Sequence, residues 1–412
     1  MRVALFLPHF AITGGLGVHC RTLLNALLHT HPNDQFTVFT PADPQSLFPT
    51  ASTDESWRQA VEDRRVSHVP VDCPPGFSLA GPLDRVLAEP VAASRADVLA
   101  CTYYTGMQHP PCPQAVVFHD AGFLENPAGF GDTARVRKET VELIRPAITK
   151  LVCVSADARD RICRHLPFDP ARTAVVWHAL TDTPEAIRIA SDPVRKYEPL
   201  WTGGDCPADW GQYLFVPVGA ATGFNRARKN VPAAVTAFRQ LARTKTRLVI
   251  ASTGTLSDRL LAELLPADEL KGGSNADRVW RSADGRVIVL PNLIRSPFLA
   301  AMAHANGIVY PTRYEGFGLP AIEAMALGVP LVAGRATSLP EVVGNAGLLV
   351  DPDDLWGFTG AMGVVLDDQK ARDELIRRGR DRVKLFSLDR MGEQMRAVLT
   401  QLLQTNGERP VV

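Results

Sequence analysis

Apolar runs alternate with helical patterns along most of the chain. Residues 2–7, Tyr213–Val218 and Gly307–Tyr310 are short runs of mostly apolar side chains that end at proline or glycine, and each predicts a buried strand. A further short strand is predicted near Val66–Val71. Apolar residues at helical spacing follow most of these runs. Such strand–helix alternation is typical of parallel α/β domains.

One segment without periodicity divides this pattern. Residues 183–212 are rich in proline, glycine and charge, which is typical of a connection between domains. A chain of 412 residues is long enough for two domains of roughly 150–200 residues each. We therefore predict an N-terminal Rossmann-like domain at 1–182, a linker at 183–211 and a C-terminal Rossmann-like domain at 212–387.

The most informative stretch begins at the strand Gly307–Tyr310. A loop containing Gly316 and Gly318 follows the strand, and glycine allows backbone angles that a side chain would forbid. Pro320 stands where the first turn of a helix should begin, and Gly328 stands where that helix should end. Strand, glycine loop and helix together predict an anion site, because free backbone N–H groups and the helix dipole both favour a phosphate there.

Two glutamates bracket this anion site. Glu323 lies about one helical turn, roughly 5.4 Å, beyond the helix start, close to the distance between a nucleotide's phosphate and its ribose. Its carboxylate could accept hydrogen bonds from both ribose hydroxyls. Glu315 would face whatever is attached beyond the phosphate.

The block Glu315-Gly-Phe-Gly-Leu-Pro-Ala-Ile-Glu323 closely resembles the E-x7-E signature of the retaining GT-B glycosyltransferases of family four (group 1). Those enzymes move a sugar from a nucleotide diphosphate to an acceptor. The resemblance implies an α/β GT-B fold, with two facing Rossmann-like domains and a cleft between them. It also implies that a helix at 388–405 packs back on the first domain. The alternative is an ordinary strand–loop–helix unit with solvated glutamates.

The resemblance assigns donor-binding roles within this block and at the N-terminus. In the block, these residues are Gly316, Phe317, Gly318, Leu319 and Glu323. Near the N-terminus, Gly15 and Gly17 would let the loop approach the donor diphosphate and the acceptor. A dinucleotide fingerprint is a weaker interpretation of these glycines, since its sixth position is Cys20. A tight turn alone is a further alternative.

A strand at Gln114–Phe118 ends in His119 and Asp120, at the edge where ligands bind in open α/β sheets. The resemblance implies that His119 lies against the donor sugar, and we predict catalytic roles for His119 and Asp120. The alternative is a structural histidine with its hydrogen bonds satisfied.

Arg228 and Lys229 precede Asn230 in the second half of the chain. We predict a loop at Ala220–Lys229, with Asn230 capping the next helix. The resemblance implies that Lys229, with Arg228, binds the diphosphate. The family usually has an arginine at the position of Ala220, and the sequence does not show what replaces it.

Basic side chains recur along two further predicted helices, 133–148 and 156–166. They favour either a peripheral contact with an anionic membrane or a solvated surface, and the interspersed acidic residues favour the latter. Lysine plus arginine equals aspartate plus glutamate, at 44 each, so bulk charge gives no support for nucleic-acid binding. Seven scattered cysteines without a C-x-x-C pair predict reduced thiols in the cytoplasm. Neither a secretory signal nor a bilayer-spanning apolar run is evident.

The resemblance implies a hexosyltransferase that retains anomeric configuration, and we predict that it needs no metal. The run Asp351-Pro-Asp353 is interpreted as helix capping, so we predict no metal and no cofactor besides the nucleotide diphosphate sugar as co-substrate. The predicted donor is GDP-mannose or a UDP-sugar, and the predicted acceptor is a glycan or lipid-linked molecule. In that mechanism Glu315 binds sugar hydroxyls and His119 supports the developing oxocarbenium ion. The alternatives are a catalytically degenerate GT-B partner protein and a nucleotide-sugar epimerase.

Overall fold

The computed structural model describes residues 1–10, 15–42, 60–73, 83–180, 210–218, 224–253, 279–291 and 293–404, with backbone alone at 224–226. Gly14, Gly219, Ala220 and most of the predicted linker lie outside these residues. The chain divides into two compact units. Unit 1 comprises Met1–Thr181 and Phe386–Val412, and unit 2 comprises Asp182–Leu385.

Unit 1 contains one parallel sheet. Its strands are β1 (Arg2–Phe6), β2 (Gln35–Pro41), β3 (Val66–Val71), β4 (Val98–Cys101), β5 (Gln114–Phe118), β6 (Ile148–Cys153) and β7 (Thr173–Val175). Its helices are α1 (Gly15–Thr30), α2 (Asp84–Ala93), α3 (Gly122–Glu125), α4 (Pro127–Phe130), α5 (Asp132–Ile144), α6 (Ala156–His165) and, near the chain's end, α14 (Leu388–Gln404). The strand order is β3-β2-β1-β4-β5-β6-β7, so the direction of winding reverses between β1 and β4.

Unit 2 repeats this plan. Its strands are β8 (Tyr213–Val218), β9 (Arg247–Ser252), β10 (Trp280–Arg281), β11 (Val287–Leu290), β12 (Gly307–Tyr310), β13 (Leu331–Gly334) and β14 (Leu348–Val350). Its helices are α7 (Phe224–Lys229), α8 (Val231–Gln240), α9 (Arg295–Ala303), α10 (Leu319–Leu327), α11 (Leu339–Val343), α12 (Leu355–Asp367) and α13 (Gln369–Val383). The order is β10-β11-β9-β8-β12-β13-β14, with β10 antiparallel to β11 and the reversal between β8 and β12.

Both faces of the second sheet are buried. Alternate residues of β8 belong to separate apolar clusters, Tyr213 and Phe215 in one and Leu214 and Val216 in the other. A parallel strand covered on both faces must be apolar at every position, which explains why β8 is a continuous apolar run in the sequence.

The helix α14 completes unit 1 by packing on α1. Gly392 lies so close to α1 that a Cβ there would come within 2.5 Å of the Ala26 carbonyl oxygen. Arg396 forms an ion pair of 2.7 Å with Asp34, which also holds the N-terminal amine of Met1 at 2.8 Å. The last described helix is therefore fastened to the first strand–helix pair by packing and by charge.

Several predictions that rest on local sequence patterns were confirmed. The strands Val66–Val71, Tyr213–Val218 and Gly307–Tyr310 have the predicted bounds. The Asp354 carboxylate caps α12 by accepting a hydrogen bond of 2.8 Å from the backbone N–H of Gly357. Among the described helices, none combines the length and the apolar character that crossing a bilayer requires.

Three local predictions were wrong. The predicted helix 133–148 ends at Ile144, because Pro146 cannot continue it, and Ile148 already belongs to β6. The predicted loop 220–229 contains the short helix α7. Asn230 does not cap α8: its backbone is left-handed, and its side chain donates instead to the carbonyl oxygens of Pro311 and Pro352 at 3.1 and 2.8 Å.

Candidate functional site

Both units place polar side chains at the carboxyl ends of strands, where ligands bind in open α/β sheets, and in unit 2 these strands flank the reversal of strand order. In unit 2, Arg228 and Lys229 lie at the end of α7, after β8. Glu315 lies in the loop that follows β12, the neighbour of β8. In unit 1, His119 directly follows β5. Two separate candidate sites result, one in each unit.

The candidate site of unit 2 is built around the carboxylate of Glu315. Arg228 Nη1 donates to Glu315 Oε2 at 2.9 Å, and Lys229 Nζ donates to Oε1 at 2.9 Å. The Thr312 hydroxyl also donates to Oε1 at 2.9 Å, while Lys229 Nζ lies 3.0 Å from Tyr310 Oη. We call these five residues the Glu315 cluster. Two cations and one carboxylate leave the cluster with one net positive charge.

The charges in the Glu315 cluster are shielded from water. Glu315 is 7% exposed and Lys229 is 8% exposed. Burial alone would raise the pKa of Glu315, but the charges and hydrogen bonds of Arg228 and Lys229 outweigh burial and lower the pKa to about 2. Glu315 is therefore ionised at neutral pH and holds both cations in place.

The loop between Glu315 and α10 is fixed by polar contacts. The backbone N–H of Glu315 donates to the Thr337 hydroxyl at 2.8 Å. The Ser338 hydroxyl lies 2.9 Å from the carbonyl oxygens of both Glu315 and Phe317. Phe317 is buried, whereas Gly316 is half-buried. The start of α10 is thus held at a defined place beside the Glu315 cluster.

Gly318 stands immediately before α10 with φ at +104°, a conformation that L-residues rarely adopt. A Cβ at Gly318 would come 2.6 Å from Leu339 Cδ2. Leu319 and Pro320 then begin the helix, and no side chain caps it. Pro320 has no N–H and the Ala321 N–H donates to the Gly318 carbonyl oxygen at 2.9 Å, so what this uncapped end of α10 offers a phosphate is chiefly the positive end of the helix dipole.

Glu323 lies on α10 and is 6% exposed. Its carboxylate forms an ion pair of 2.8 Å with Arg295, which lies in the first turn of α9. The sequence analysis expected Glu323 to accept from a ribose and did not identify Arg295. One oxygen of that carboxylate is therefore engaged by an arginine.

In unit 1, His119 is held by a backbone carbonyl. Its Nε2 donates to the Thr102 oxygen at 2.9 Å, which leaves Nδ1 as the atom that can accept or coordinate. Asp120 has a local role: its Oδ1 accepts from the Gly122 N–H at 2.8 Å, and its own N–H donates to Tyr104 Oη at 2.8 Å. The predicted catalytic histidine is thus oriented, and Asp120 shapes the turn behind it.

The N-terminal glycines lie at the start of α1. Gly15 begins the helix and is exposed, whereas Gly17 is buried two residues later. Their predicted contact with the donor stays a prediction.

Two histidines that the sequence analysis missed surround His119. His19 Nδ1 and His178 Nδ1 share a hydrogen bond of 3.0 Å, and the His19 ring meets the His119 ring edge-on at 4.6 Å. Burial lowers the pKa of all three histidines, with mutual charge repulsion adding to the effect for His19 and His178. We call these three residues the histidine cluster, and its members are neutral at neutral pH.

The histidine cluster also provides metal-ligand chemistry. One nitrogen from each ring lies within 4.8 Å of the others, and within the described ranges no further group of this kind was found. Neutral imidazoles suit zinc and similar ions, and tetrahedral zinc would need nitrogens about 3.4 Å apart. The His19–His178 hydrogen bond already occupies one nitrogen of each ring.

The run Asp351-Pro-Asp353 is engaged elsewhere: Asp351 accepts from the Asp353 N–H, and Asp353 pairs with Arg313.

Some of the missed residues did carry a sequence signal. Tyr310 and Thr312 flank Pro311 at the end of β12, and His178 follows the end of β7 by three residues. Strand ends of this kind meet at one edge of a parallel sheet, so their side chains were candidates by position. Arg295 carried no such signal, because its contact with Glu323 depends on how α9 packs beside α10.

Two seven-stranded α/β units, each with a reversal of strand order and with polar side chains at the ends of strands, define the GT-B class of fold. Comparisons with known proteins agree with this class. Residues 13–181 match the family model Glycosyltransferase Family 4, and residues 216–368 match the model Glycosyl transferases group 1. The first match lies within unit 1 and the second within unit 2, and each covers less than half of the chain.

Individual relatives are more distant. The O-antigen chain mannosyltransferase B of Escherichia coli is 37% identical over 91 residues, which are 22% of this chain and 23% of that protein. The chain thus matches less than a quarter of that relative's length. Sucrose-phosphate synthase from Thermosynechococcus elongatus has a similar structure, with a TM-score of 0.68 and 18% identity over 98% of this chain and all of the other. Anabaena Alr3699/HepE in complex with UDP and glucose gives a TM-score of 0.65 and 15% identity, over 97% and 100% of the two chains.

Proposed function

We propose that the chain is a retaining hexosyltransferase that moves a sugar from a nucleotide diphosphate sugar to a glycan or lipid-linked acceptor. The observation that carries this proposal is the Glu315 cluster at the start of α10. Its net positive charge and the positive dipole end of the uncapped helix α10 suit a diphosphate, which bears concentrated negative charge.

Leaving-group stabilisation follows from the same geometry. When the bond between sugar and diphosphate breaks, negative charge grows on the diphosphate oxygens. Preorganised cations and N–H groups stabilise that charge most effectively when water is excluded. Arg228 and Lys229 are already fixed by Glu315 at 2.9 Å each, so no reorganisation is needed to present them. In this proposal they and the start of α10 stabilise the leaving group, and no metal takes part.

In this proposal unit 1 binds the acceptor and contributes His119. The lone pair on His119 Nδ1 could support the positive charge that develops on the sugar ring, since burial keeps the imidazole neutral. Retention would follow from attack on the face from which the diphosphate departs, with a phosphate oxygen taking the acceptor's proton. Glu315 would orient the sugar hydroxyls through the carboxylate positions that Arg228 and Lys229 leave open.

Arg295 would hold Glu323 where it can bind the ribose. The 2.8 Å ion pair compensates the charge of the buried Glu323 carboxylate. A ribose bound at this position would donate hydrogen bonds to the Glu323 carboxylate, either beside Arg295 or in its place. Mannosyl and glucosyl donors are the first choices, since the relatives include a mannosyltransferase and the structural neighbour was solved with UDP and glucose.

The test is release of nucleotide diphosphate from a panel of UDP-, GDP- and ADP-sugars in EDTA, with and without glycan acceptors. We expect turnover of one donor, loss of at least about 100-fold in Glu323→Ala, and an anomeric signal in the product that matches the donor. Glu393→Ala, an exposed glutamate on α14, is the matched control and should keep full activity. No binding and no turnover across the panel would contradict the proposal in favour of a degenerate partner protein.

A further inference from the structure

Residues 335–338, between β13 and α11, form a loop that lies beside the loop carrying Glu315. The two loops follow β13 and β12, which are parallel neighbours, so both leave the same edge of the sheet. They approach closely at their base, where a Cβ on Gly334 would overlap the Thr312 carbonyl oxygen. We call residues 335–338 the supporting loop, because its contacts hold the backbone of Glu315.

Two successive hydroxyl groups of the supporting loop make these contacts. The Thr337 hydroxyl accepts the backbone N–H of Glu315 at 2.8 Å. The Ser338 hydroxyl lies 2.9 Å from the carbonyl oxygens of both Glu315 and Phe317. The peptide groups on the two sides of the Glu315 Cα are therefore both anchored to the supporting loop, and the N–H of Glu315 is anchored by Thr337.

Thr337 makes its contact from a strained backbone. Its φ is +46°, in the left-handed region that side chains with a branched Cβ rarely enter. Within the described ranges four other non-glycine residues have a positive φ, and none of them has a branched Cβ: Arg64, Arg95, Asn230 and Ala242. Backbone strain of this kind persists only where the surrounding structure imposes it, and it is concentrated at functional sites.

A glycine at position 337 would adopt this φ without strain, but it would leave the Glu315 N–H without the hydroxyl that accepts it. The position of Glu315 matters because its carboxylate holds Arg228 and Lys229, each at 2.9 Å. A shift of the Glu315 backbone would therefore move both cations. A displacement of about 1 Å can reduce the rate of a reaction about 100-fold when it misplaces the groups that assist it.

We infer that Thr337 is a positioning residue for the proposed sugar transfer. Its hydroxyl fixes the backbone of Glu315, and through Glu315 it fixes the two cations that face the leaving diphosphate. The backbone strain is the cost of placing a hydroxyl at this point of the supporting loop. The role in transfer rests on the proposed function, whereas the effect of Thr337 on the Glu315 backbone does not.

The test compares three substitutions in the full chain. Thr337→Val keeps the branched shape and the strain but removes the hydroxyl, Thr337→Ser keeps the hydroxyl, and Thr337→Gly removes both the hydroxyl and the strain. We expect Thr337→Val and Thr337→Gly to lower kcat at least about tenfold, the factor that corresponds to one lost hydrogen bond. KM for the donor should change less, because the Glu323–Arg295 ion pair lies outside these contacts. Thr337→Ser should keep most of the turnover.

Thermal unfolding separates this role from a purely structural one. Thr337→Gly should unfold about 2–4 °C above Thr337→Val, because only the glycine variant is free of the strain. If Thr337 served stability alone, turnover would follow the unfolding temperature, and the glycine variant would be the more active of the two. The matched control is Thr359→Val on α12, since the half-buried Thr359 hydroxyl lies 3.0 Å from the Ala237 carbonyl oxygen. This control should unfold at a lower temperature than the wild type and keep full turnover.

A second measurement needs no turnover. Hydrogen exchange of the Glu315 amide, followed by NMR after selective labelling, should be at least about tenfold faster in Thr337→Val than in the wild type, because the amide has lost its acceptor. Unchanged kcat or unchanged exchange of this amide in Thr337→Val would overturn the inference. If Thr337→Val does not fold, the same two measurements on Thr337→Gly decide. Faster exchange in the variants of a chain that transfers no sugar would refute the proposed function and leave Thr337 as the residue that fixes Glu315.

Discussion

In unit 2, one carboxylate at the sheet reversal holds two cations; in unit 1, three buried imidazoles lie against one another without charge. Both groups belong to units built on seven-stranded sheets. The Glu315 cluster keeps its charges because each has an opposite partner at 2.9 Å. In the histidine cluster burial lowers the pKa of all three rings and outweighs the nearby Asp120 carboxylate, which raises the pKa of His119. The same backbone plan thus yields a site suited to anions and a site of neutral acceptors and donors.

The strongest way to break this contrast is Glu315→Gln. Loss of the carboxylate leaves Arg228 and Lys229 buried without compensation, so we expect the free energy of unfolding to fall by about 3 kcal/mol. Turnover should fall at least about 100-fold, because the cations lose their fixed positions. Denaturant titration and nucleotide diphosphate release are the measurements. The double variant with Lys229→Met should recover part of the stability but none of the turnover, and full turnover in Glu315→Gln would refute the sugar-positioning role.

Lowering the pH should reduce the stabilising contribution of the histidine cluster before that of the Glu315 cluster. An unfolded histidine takes up a proton near pH 6.5, whereas the folded pKa values of His19, His119 and His178 lie below that. The unfolded state therefore binds more protons as the pH falls below 6.5, and stability decreases by up to about 1.4 kcal/mol per pH unit for each histidine. Glu315 keeps its contribution until the pH falls below about 4.5, toward its folded pKa of about 2.

We therefore expect unit 1 to lose protection before unit 2 as the pH is lowered from 7.5 to 5. Hydrogen exchange followed by mass spectrometry resolves the two units in one experiment. His178→Asn keeps a hydrogen-bonding side chain without a titrating ring, and it should flatten the pH dependence of unit 1. Simultaneous loss of protection in both units at pH 6 would contradict this account.

The smallest expected effect concerns the glycine before α10. Gly318→Ala places a Cβ 2.6 Å from Leu339 Cδ2 at a φ of +104°, so we expect a loss of about 1–3 kcal/mol in stability and weaker donor binding. Gly360→Ala, within α12 and with open space around its Cβ, is the control and should stabilise by about 0.5–1 kcal/mol. Thermal unfolding and donor titration of both variants measure the difference. Unchanged donor affinity in Gly318→Ala would argue against a tight approach of the phosphate.

The sequence was sufficient for the elements and insufficient for their long-range partners. The apolar run of β8 and the glycine that ends α10 are local signals, and the structure has both where they were predicted. The contacts of Asn230 reach residues 81 and 122 positions away, and no local rule distinguishes them from a helix cap.

The predictions for the candidate site divide in the same way, into residues that local motifs identified and contacts that they did not. Arg228, Lys229 and Glu315 were chosen singly, from motif positions, and the structure brings the three into one cluster. That Glu315 holds the cations, and that Arg295 engages Glu323, depends on how distant strands and helices pack. The roles of these residues in catalysis stay predictions until the variants are measured.

The return of α14 to α1 has a consequence for synthesis on the ribosome. Residues 182–385 are contiguous, so unit 2 can acquire all of its parts while the polypeptide is still being extended. Unit 1 cannot, because the face of α1 around Ala26 is covered only after residues 388–404 have been made. The N-terminal half must therefore wait, with an apolar surface open to chaperones, until the final helix emerges and closes it.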